Sequence, residues 1–356
     1  MSLGDLRKKI DDLDTRIVEL ISERIKTAEE IGRKKKAQNK LIEDREREHK
    51  VLEGVRSVAR SKDVSQGDIE DIYRSIIGAC KRVQGITVAF QGEIGAYSED
   101  AALSFFGATS IHARPCESFE EVFKAVEVGE VPFGVVPVEN SLEGSINRVY
   151  DLMLESPLMV CGEVNLRISH CLIAPAGVGL DGIRRVYSHP QALAQCRTFL
   201  SHLNCELMPA VDTAGSAGMI KDSGFSDSAA IASGRTAEIY DMKIIAREIE
   251  DNPNNFTRFF MLAREDATPT GDDKTSIVFS VKHKAGALYE SLKGFASKNI
   301  SLTKLESRPT RQKPWEYNFY LDFVGHRRDK EAQEALKHLE ESAIFVKVLG
   351  SYQKAR

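Results

Sequence analysis

Between residues 5 and 38 the chain carries Leu6, Ile10, Leu13, Ile17, Leu20, Ile21 and Ile31 at helical spacing, with no proline to interrupt them. A pattern this long predicts one extended helix that pairs with other helices, drawn from a second chain. A second helical pattern follows over 43–60, with Val51, Leu52, Val55 and Val58 on one face. A third begins after a cap at Ser65 or Asp68 and uses Ile69, Ile72, Tyr73, Ile76 and Ile77. Residues 1–84 are therefore expected to form an all-α domain.

At Gly85 the period changes. ITVAF is a short β-branched run, and QGEIGAYSEDAALSFFG after it is a glycine-containing loop entering a helix. Strand-like runs (FGVVPV, PLMVCGEV, ISHCLIA, RRVYSH, SDSAAIAS) then alternate with helical ones, which predicts an α/β domain over 85–265 with its site at strand ends. The polar break EDATPTGDD ends it. Residues 272–356 read as βαββαβ, a ferredoxin-like α+β domain. The 356 residues, 42% hydrophobic, suffice for such a multidomain chain.

Other features exclude function classes. No run of about 18 apolar residues occurs and the start DLRKKIDDLD lacks a signal-peptide pattern, so a cytoplasmic protein without membrane attachment is expected. The six cysteines form no CxxC pairs, which argues against disulfides or a zinc site; neither metal nor cofactor is expected. A net charge of −4 gives no general attraction to nucleic acid, and the run RKKK at 33–36 reads as a solvated face.

In the helical section, Arg24 lies seven residues from both Ile17 and Ile31 and so shares their stripe, with Lys35 close to it around the axis. Asp44 and Glu48 continue the stripe of Val51 and Val55, and Gln84 extends the row Tyr73, Ile77, Cys80. Buried charges require partners, so these groups form either one polar pocket or a salt-bridge network that fixes helix register. The segments LRKKIDDLD, LISERIKTAEEIGRKKK and EDREREHKVL, with the closing AC…Q, resemble the all-helical chorismate mutase family. That resemblance implies a site of Arg7, Arg24, Lys35, Asp44, Arg47, Glu48, Cys80 and Gln84. It assigns catalysis to Arg24, Lys35, Glu48 and Gln84, and it implies an interlocked dimer in which Arg7 comes from the partner chain. The chemistry suits these residue types, because an intramolecular Claisen rearrangement needs carboxylate clamps and donors to the breaking ether, not a nucleophile.

In the α/β section five polar signatures end strand-like runs: GEIGAYSEDAA (92–102), PVENSLEGS (137–145), SHPQALAQC (188–196), DTAGSA (212–217) and NNFTRFF (254–260). Singly, their Ser and Asn residues read as caps, and His189 before Pro190 as a turn residue. Together they supply helix amino termini suited to a ligand bearing carboxylates. In this order they resemble prephenate dehydratase across the whole section. The family implies two lobes, similar in plan to periplasmic binding proteins, closing over prephenate. It implies roles for Asn140, Ser188, Gln195, Thr257 and Arg258, with Thr257 donating to the leaving hydroxyl and Arg258 holding the side-chain carboxylate. GAYSE also occurs in relatives that act on arogenate, which is the alternative substrate.

KAGALYESL (284–292) and KLESRPT (304–310) read alone as ordinary turns. They match ACT regulatory domains, which implies L-phenylalanine as allosteric inhibitor, bound near Gly286, Ala287, Leu288, Glu306, Ser307, Arg308 and Pro309. The three resemblances in this order imply a bifunctional enzyme of phenylalanine biosynthesis acting on chorismate and prephenate as a homodimer or higher homo-oligomer. A ligand-sensing regulator is the alternative from another class, and the absence of a helix-turn-helix pattern weighs against it.

Overall fold

A computed structural model describes residues 2–37, 45–62, 64–107, 111–310 and 315–355. The chain divides into two compact units, one of Met1–Thr87 with Phe106–His112 and one of Val88–Phe105 with Ala113–Arg356. The first carries three helices among its described residues: α1 (Leu3–Ala37), α2 (Arg45–Ser61) and α3 (Gln66–Gln84). At 1.5 Å rise per residue, α1 extends roughly 50 Å. Helix α3 packs on both α1 and α2. The amino-terminal part of the α1 stripe is left largely uncovered by the described residues: Leu6, Ile10, Leu13 and Ile17 are each at least 44% exposed.

The second unit begins with β1 (Ile86–Gln91), α4 (Tyr97–Phe106), β2 (Ile111–Cys116), α5 (Phe119–Glu127), β3 (Phe133–Asn140), β4 (Gly144–Ser145), α6 (Asn147–Glu155) and β5 (Met159–Arg167). The chain then crosses to β6 (Cys171–Ala174), β7 (Arg185–Ser188), α7 (Pro190–Gln195), α8 (Arg197–Leu200), β8 (Glu206–Pro209), α9 (Thr213–Ser223), β9 (Ser228–Ala232), α10 (Gly234–Ile239) and β10 (Lys243–Ala246). It returns as β11 (Phe256–Ala263). One sheet has the order β2-β1-β3-β11-β5, with β4 paired to β3, and the other β10-β6-β9-β7-β8. Two lobes result, joined by two crossing segments that bond to each other: Ile168 N–H donates to Asn255 O at 2.8 Å and Ile249 N–H to His170 O at 3.0 Å.

The remaining elements are β12 (Asp273–Ser280), α11 (Ala287–Ser297), β13 (Leu302–Pro309), β14 (Tyr317–Val324), α12 (Lys330–Ser342) and β15 (Phe345–Gln353). Their sheet, ordered β13-β14-β12-β15 and antiparallel throughout, has the ferredoxin-like topology. Phe279, Leu321 and Phe323 cover one face with Phe295 of α11 and Leu339 of α12. The other face is not solvated. Val278, Tyr320, Leu349 and Tyr352 join Val136, Val160 and Phe260 of the first lobe in one core. Each large side chain buried there contributes about 2 kcal/mol, so parting the first lobe from this sheet is costly. Among the described residues no helix is long and apolar enough to cross a membrane.

Candidate active sites

In β11 Thr257 pairs with Asn140 of β3, and the register then slips so that Phe259 faces Pro137. The extra residue in β3 places Pro137, Asn140, Thr257 and Phe259 together on the floor of a cavity of about 320 Å³ between the lobes. The far wall comes from the second lobe, with His189 and Gln195 around α7 and Asp212 capping α9. Tyr97 and Ser98, in the first turn of α4, close one end. The amino ends of α4 and α9 border the cavity, although at α9 the Asp212 carboxylate already accepts from Gly215 N–H at 2.5 Å. No Lys or Arg lines the cavity among the described residues. Two carboxylates, Glu143 and Asp212, are part of the lining, so a dianion would rely on hydroxyls, amides and imidazoles in place of countercharges.

A hydrogen-bonded chain joins the floor to the far wall. Asn140 Nδ2 lies 2.9 Å from Thr257 Oγ1 and 2.7 Å from Asn255 Oδ1. Asn255 Nδ2 donates to Gln195 Oε1 at 3.0 Å, and His170 Nε2 is also 3.0 Å from that oxygen. The Tyr97 hydroxyl lies 3.1 Å from His170 Nδ1 and 2.7 Å from Ser169 O, two acceptors that share its single proton. Burial holds the His170 imidazole below its ordinary pKa against the pull of Gln195, and burial pushes the Tyr97 phenol well up.

Of the expected dehydratase residues, Asn140, Gln195 and Thr257 come together in this cleft. Two do not, and both expectations are corrected. Arg258 follows Thr257 in a strand, so its side chain takes the opposite face. There it bonds Glu163 and Asp322 at 2.7 and 2.6 Å and donates to Tyr352 Oη at 3.0 Å. It is committed to the ferredoxin-like domain, not to a cleft carboxylate. Ser188 is fully buried and donates to Ile231 O at 2.7 Å within the second sheet. Sequence reasoning passed over Tyr97, His170 and Asn255. Tyr97 lay inside GAYSE and Asn255 inside NNFTRFF, but His170 lay in the strand-like run ISHCLIA, where only the fold brings it to the cleft.

In the helical unit, Arg24 of α1 donates to the buried Cys80 Sγ of α3 at 2.7 Å. Arg7 and Arg47 are exposed. Arg7 lies 17 residues before Arg24 on one helix, about 25 Å away, too far to share a ligand with it within one chain. Asp44 and the side chains of Lys35, Glu48 and Gln84 lie outside the described residues.

In the ferredoxin-like domain Gly286 adopts φ 79° at the start of α11, a left-handed backbone that favours glycine. Ala287 and Leu288 border a cavity of about 430 Å³ with Trp315, Tyr317 and Phe319. The second expected effector segment is elsewhere engaged. Arg308 donates to Asn147 O at 2.6 Å and pairs with Asp151 at 3.0 Å, while Glu306 accepts from Ser145. These two expected ligands therefore face the first lobe, whereas Ser307 and Pro309 on the alternate face of β13 are exposed.

A two-lobed α/β cleft lined by hydroxyls and amides, preceded by a helical unit and followed by a ferredoxin-like domain, defines a multidomain enzyme acting on small carboxylates. Residues 6–85 match the family Chorismate mutase type II, and residues 88–267 match Prephenate dehydratase. The chain is 41% identical over 99% of its length to the bifunctional chorismate mutase/prephenate dehydratase of Stutzerimonas stutzeri, covering 98% of that protein. It is 47% identical over 75% of its length to arogenate dehydratase/prephenate dehydratase 2 of Arabidopsis thaliana, covering 72% of it. The structure of prephenate dehydratase from Arthrobacter aurescens in complex with L-Phe aligns with TM-score 0.69 and 34% identity, covering 76% of this chain and 90% of that one. The chain belongs to the bifunctional chorismate mutase/prephenate dehydratase family. Its helical section rearranges chorismate to prephenate, and its α/β section converts prephenate to phenylpyruvate.

Proposed function

We propose that the lobes close over prephenate in the manner of periplasmic binding proteins, with Thr257 as the donor to its leaving hydroxyl. The observation that carries this is the Thr257–Asn140 pair on the cleft floor, where Thr257 is the hydroxyl held by a neighbouring amide. Prephenate loses its ring carboxylate as CO2; that electron pair enters the ring as the C4–O bond breaks, and one proton from solvent completes water. A cavity free of Lys and Arg among its described lining leaves the departing carboxylate poorly neutralised, which favours its loss as CO2. The Thr257 O–H opposes the charge growing on the leaving oxygen.

For the mutase step, Arg24 holds one carboxylate and Arg7 of a second copy the other, with Lys35 and Gln84 donating to the ether and Glu48 and Asp44 engaging the ring hydroxyl. Cys80 and Arg47 border this pocket. The uncovered α1 stripe supports a homodimer through this helix, since a second copy would bury it. L-phenylalanine is the inhibitor, bound at Gly286, Ala287 and Leu288 of an ACT domain. The L-Phe complex of the Arthrobacter protein supports this reading.

Thr257→Ala is expected to lower the dehydratase kcat by about 10²- to 10³-fold while the mutase rate stays intact, and Arg24→Ala to do the reverse. Equal loss of both activities in either variant contradicts separate sites. Rates on prephenate and arogenate, measured side by side on the unaltered enzyme, decide whether the α/β section also accepts arogenate.

A further inference from the structure

We infer that His170 is a positioning residue of the dehydratase cleft: together with Asn255 it clamps the Gln195 amide oxygen, so that Gln195, like Thr257, presents a hydrogen-bond donor to the substrate. The inference rests on the dehydratase reading of this cleft. It follows from the polarity of the chain of bonds, which is fixed at one end by backbone. Asn140 Oδ1 accepts from Leu142 N–H at 3.0 Å and Glu143 N–H at 3.1 Å, so its amide cannot flip without abandoning both. Its NH2 group therefore faces Thr257 Oγ1 and Asn255 Oδ1. The Thr257 oxygen is an acceptor in this pair, which frees its proton for the cleft.

The same logic runs on. Asn255 Oδ1 is an acceptor, so Asn255 turns its NH2 to Gln195 Oε1. That oxygen, an acceptor only, meets His170 Nε2, so the imidazole nitrogen there carries the proton. With Oε1 doubly occupied, the Gln195 amide nitrogen is the end left for the cleft, which Gln195 lines. Nε2 of His170 is engaged by Gln195, Nδ1 faces the Tyr97 hydroxyl, whose one proton it shares with Ser169 O, and the residue is 2% exposed. It is accordingly placed to aim another group and not to deliver a proton. Nor do the amides conduct one, because an amide nitrogen offers no lone pair to a proton.

The placement of the clamp adds to its meaning. His170 and Asn255 lie in the two segments that cross between the lobes, Thr257 lies on one lobe and Gln195 on the other. The crossing segments thus hold donors from both lobes in one orientation, in a cavity whose described lining carries no Lys or Arg.

Three variants test this, with dehydratase kcat and KM, mutase rate and melting temperature measured on each full-length enzyme. His170→Leu removes the Nε2 donor, and His170→Gln restores an N–H at nearly the same reach. Gln195→Glu, at a half-buried position, keeps an oxygen for His170 and Asn255 but exchanges the donor to the cleft for an acceptor. We expect His170→Leu and Gln195→Glu to lower kcat by about 10- to 100-fold with KM changed far less, and His170→Gln to recover most of the loss. A wild-type kcat in Gln195→Glu, or His170→Gln as impaired as His170→Leu while both melt as the unaltered enzyme does, overturns the inference. If His170→Leu fails to fold, Gln195→Glu decides alone. Full dehydratase activity in Thr257→Ala instead removes the underlying reading of the cleft.

Discussion

Thr257 and Arg258 are adjacent in sequence and serve opposite sides of one strand. The hydroxyl faces the cleft, and the guanidinium lies 4.7 Å over the Phe260 ring among Glu163, Asp322 and Tyr352. Their chemistry was legible in NNFTRFF, but which face each would take was not, since that depends on what covers the far side of β11. Ser188 misled for a related reason: a serine ending a strand before a helix resembles a ligand-binding hydroxyl, and only the second sheet's packing shows that it serves Ile231 O. Asp100 offers a residue-scale test of the contact between lobes. It sits on α4 beside Arg235 of α10, which bonds Glu99 at 2.6 Å and Asp100 at 3.3 Å. Burial lifts the Asp100 carboxyl from 3.8 to about 6 against the pull of Arg235. The folded pKa lies above the unfolded one, so between these values the folded chain keeps a proton that the unfolded chain releases, and stability falls as pH rises through that window. The loss is about 1–3 kcal/mol. Urea unfolding from pH 4 to 7 should therefore show a flatter profile for Asp100→Asn, with Arg235 still paired to Glu99; parallel profiles refute the assignment.

At the scale of elements, most helices and the central strands were readable because each carries a regular apolar pattern, buried in most of them and left uncovered along the start of α1. β2, β8 and β10 were not. All three end the order of their sheets, and β8 buries none of its four residues and ends in Pro, so periodicity says little about them. β15 shows a different limit of sequence reading. Its Gly350 has no unusual backbone angle, yet a Cβ there would lie 2.1 Å from Val160 O and 2.7 Å from Val160 N of β5. Backbone meets backbone at this crossing, and no side-chain rotation relieves it. Gly350→Ala must push the ferredoxin-like sheet off the first lobe and disturb the core that Leu349 and Tyr352 share with Val160 and Phe260. We expect a stability loss of about 3 kcal/mol or more. Gly54, inside α2 with open space at its Cβ position, is the contrast. There Ala should stabilise by about 0.5–1 kcal/mol. Chemical denaturation of both variants checks the pair, and a Gly350→Ala protein as stable as the unaltered one disproves the close crossing.

Across the whole second unit, the regulatory reading needs a physical route from the ferredoxin-like domain to the cleft, and the polar groups beneath β13 provide one. Lys304 Nζ bonds Ser145 Oγ at 3.0 Å, Glu139 at 2.8 Å and Glu306 at 3.1 Å. Ser145 lines the cleft on β4, and Glu139 precedes Asn140, the residue that orients Thr257. A shift of β13 is therefore felt directly by the cleft floor, without a chain of intermediates. Burial disfavours the Lys304 ammonium, yet Tyr150 and Glu139 outweigh it and hold the pKa above the ordinary lysine value, so the charge persists throughout the neutral range. Lys304→Met keeps an unbranched side chain but deletes the ammonium, with its three polar links and its contact over the Tyr150 ring. If these links transmit the effector's state, phenylalanine should still bind, since its proposed pocket at Ala287 and Leu288 is untouched. Inhibition should weaken by a factor of about 5 or more, the lower end of ordinary allosteric coupling. Calorimetric titration of phenylalanine, run alongside dehydratase rates with and without it, separates the two quantities. Unchanged binding with unchanged inhibition eliminates this route, whereas an unaltered enzyme that phenylalanine does not inhibit removes the regulatory reading itself. Because L-phenylalanine cannot couple to the cleft more strongly than the cleft couples back to it, saturating the dehydratase site should also shift phenylalanine affinity in the unaltered enzyme, and by a smaller factor in Lys304→Met.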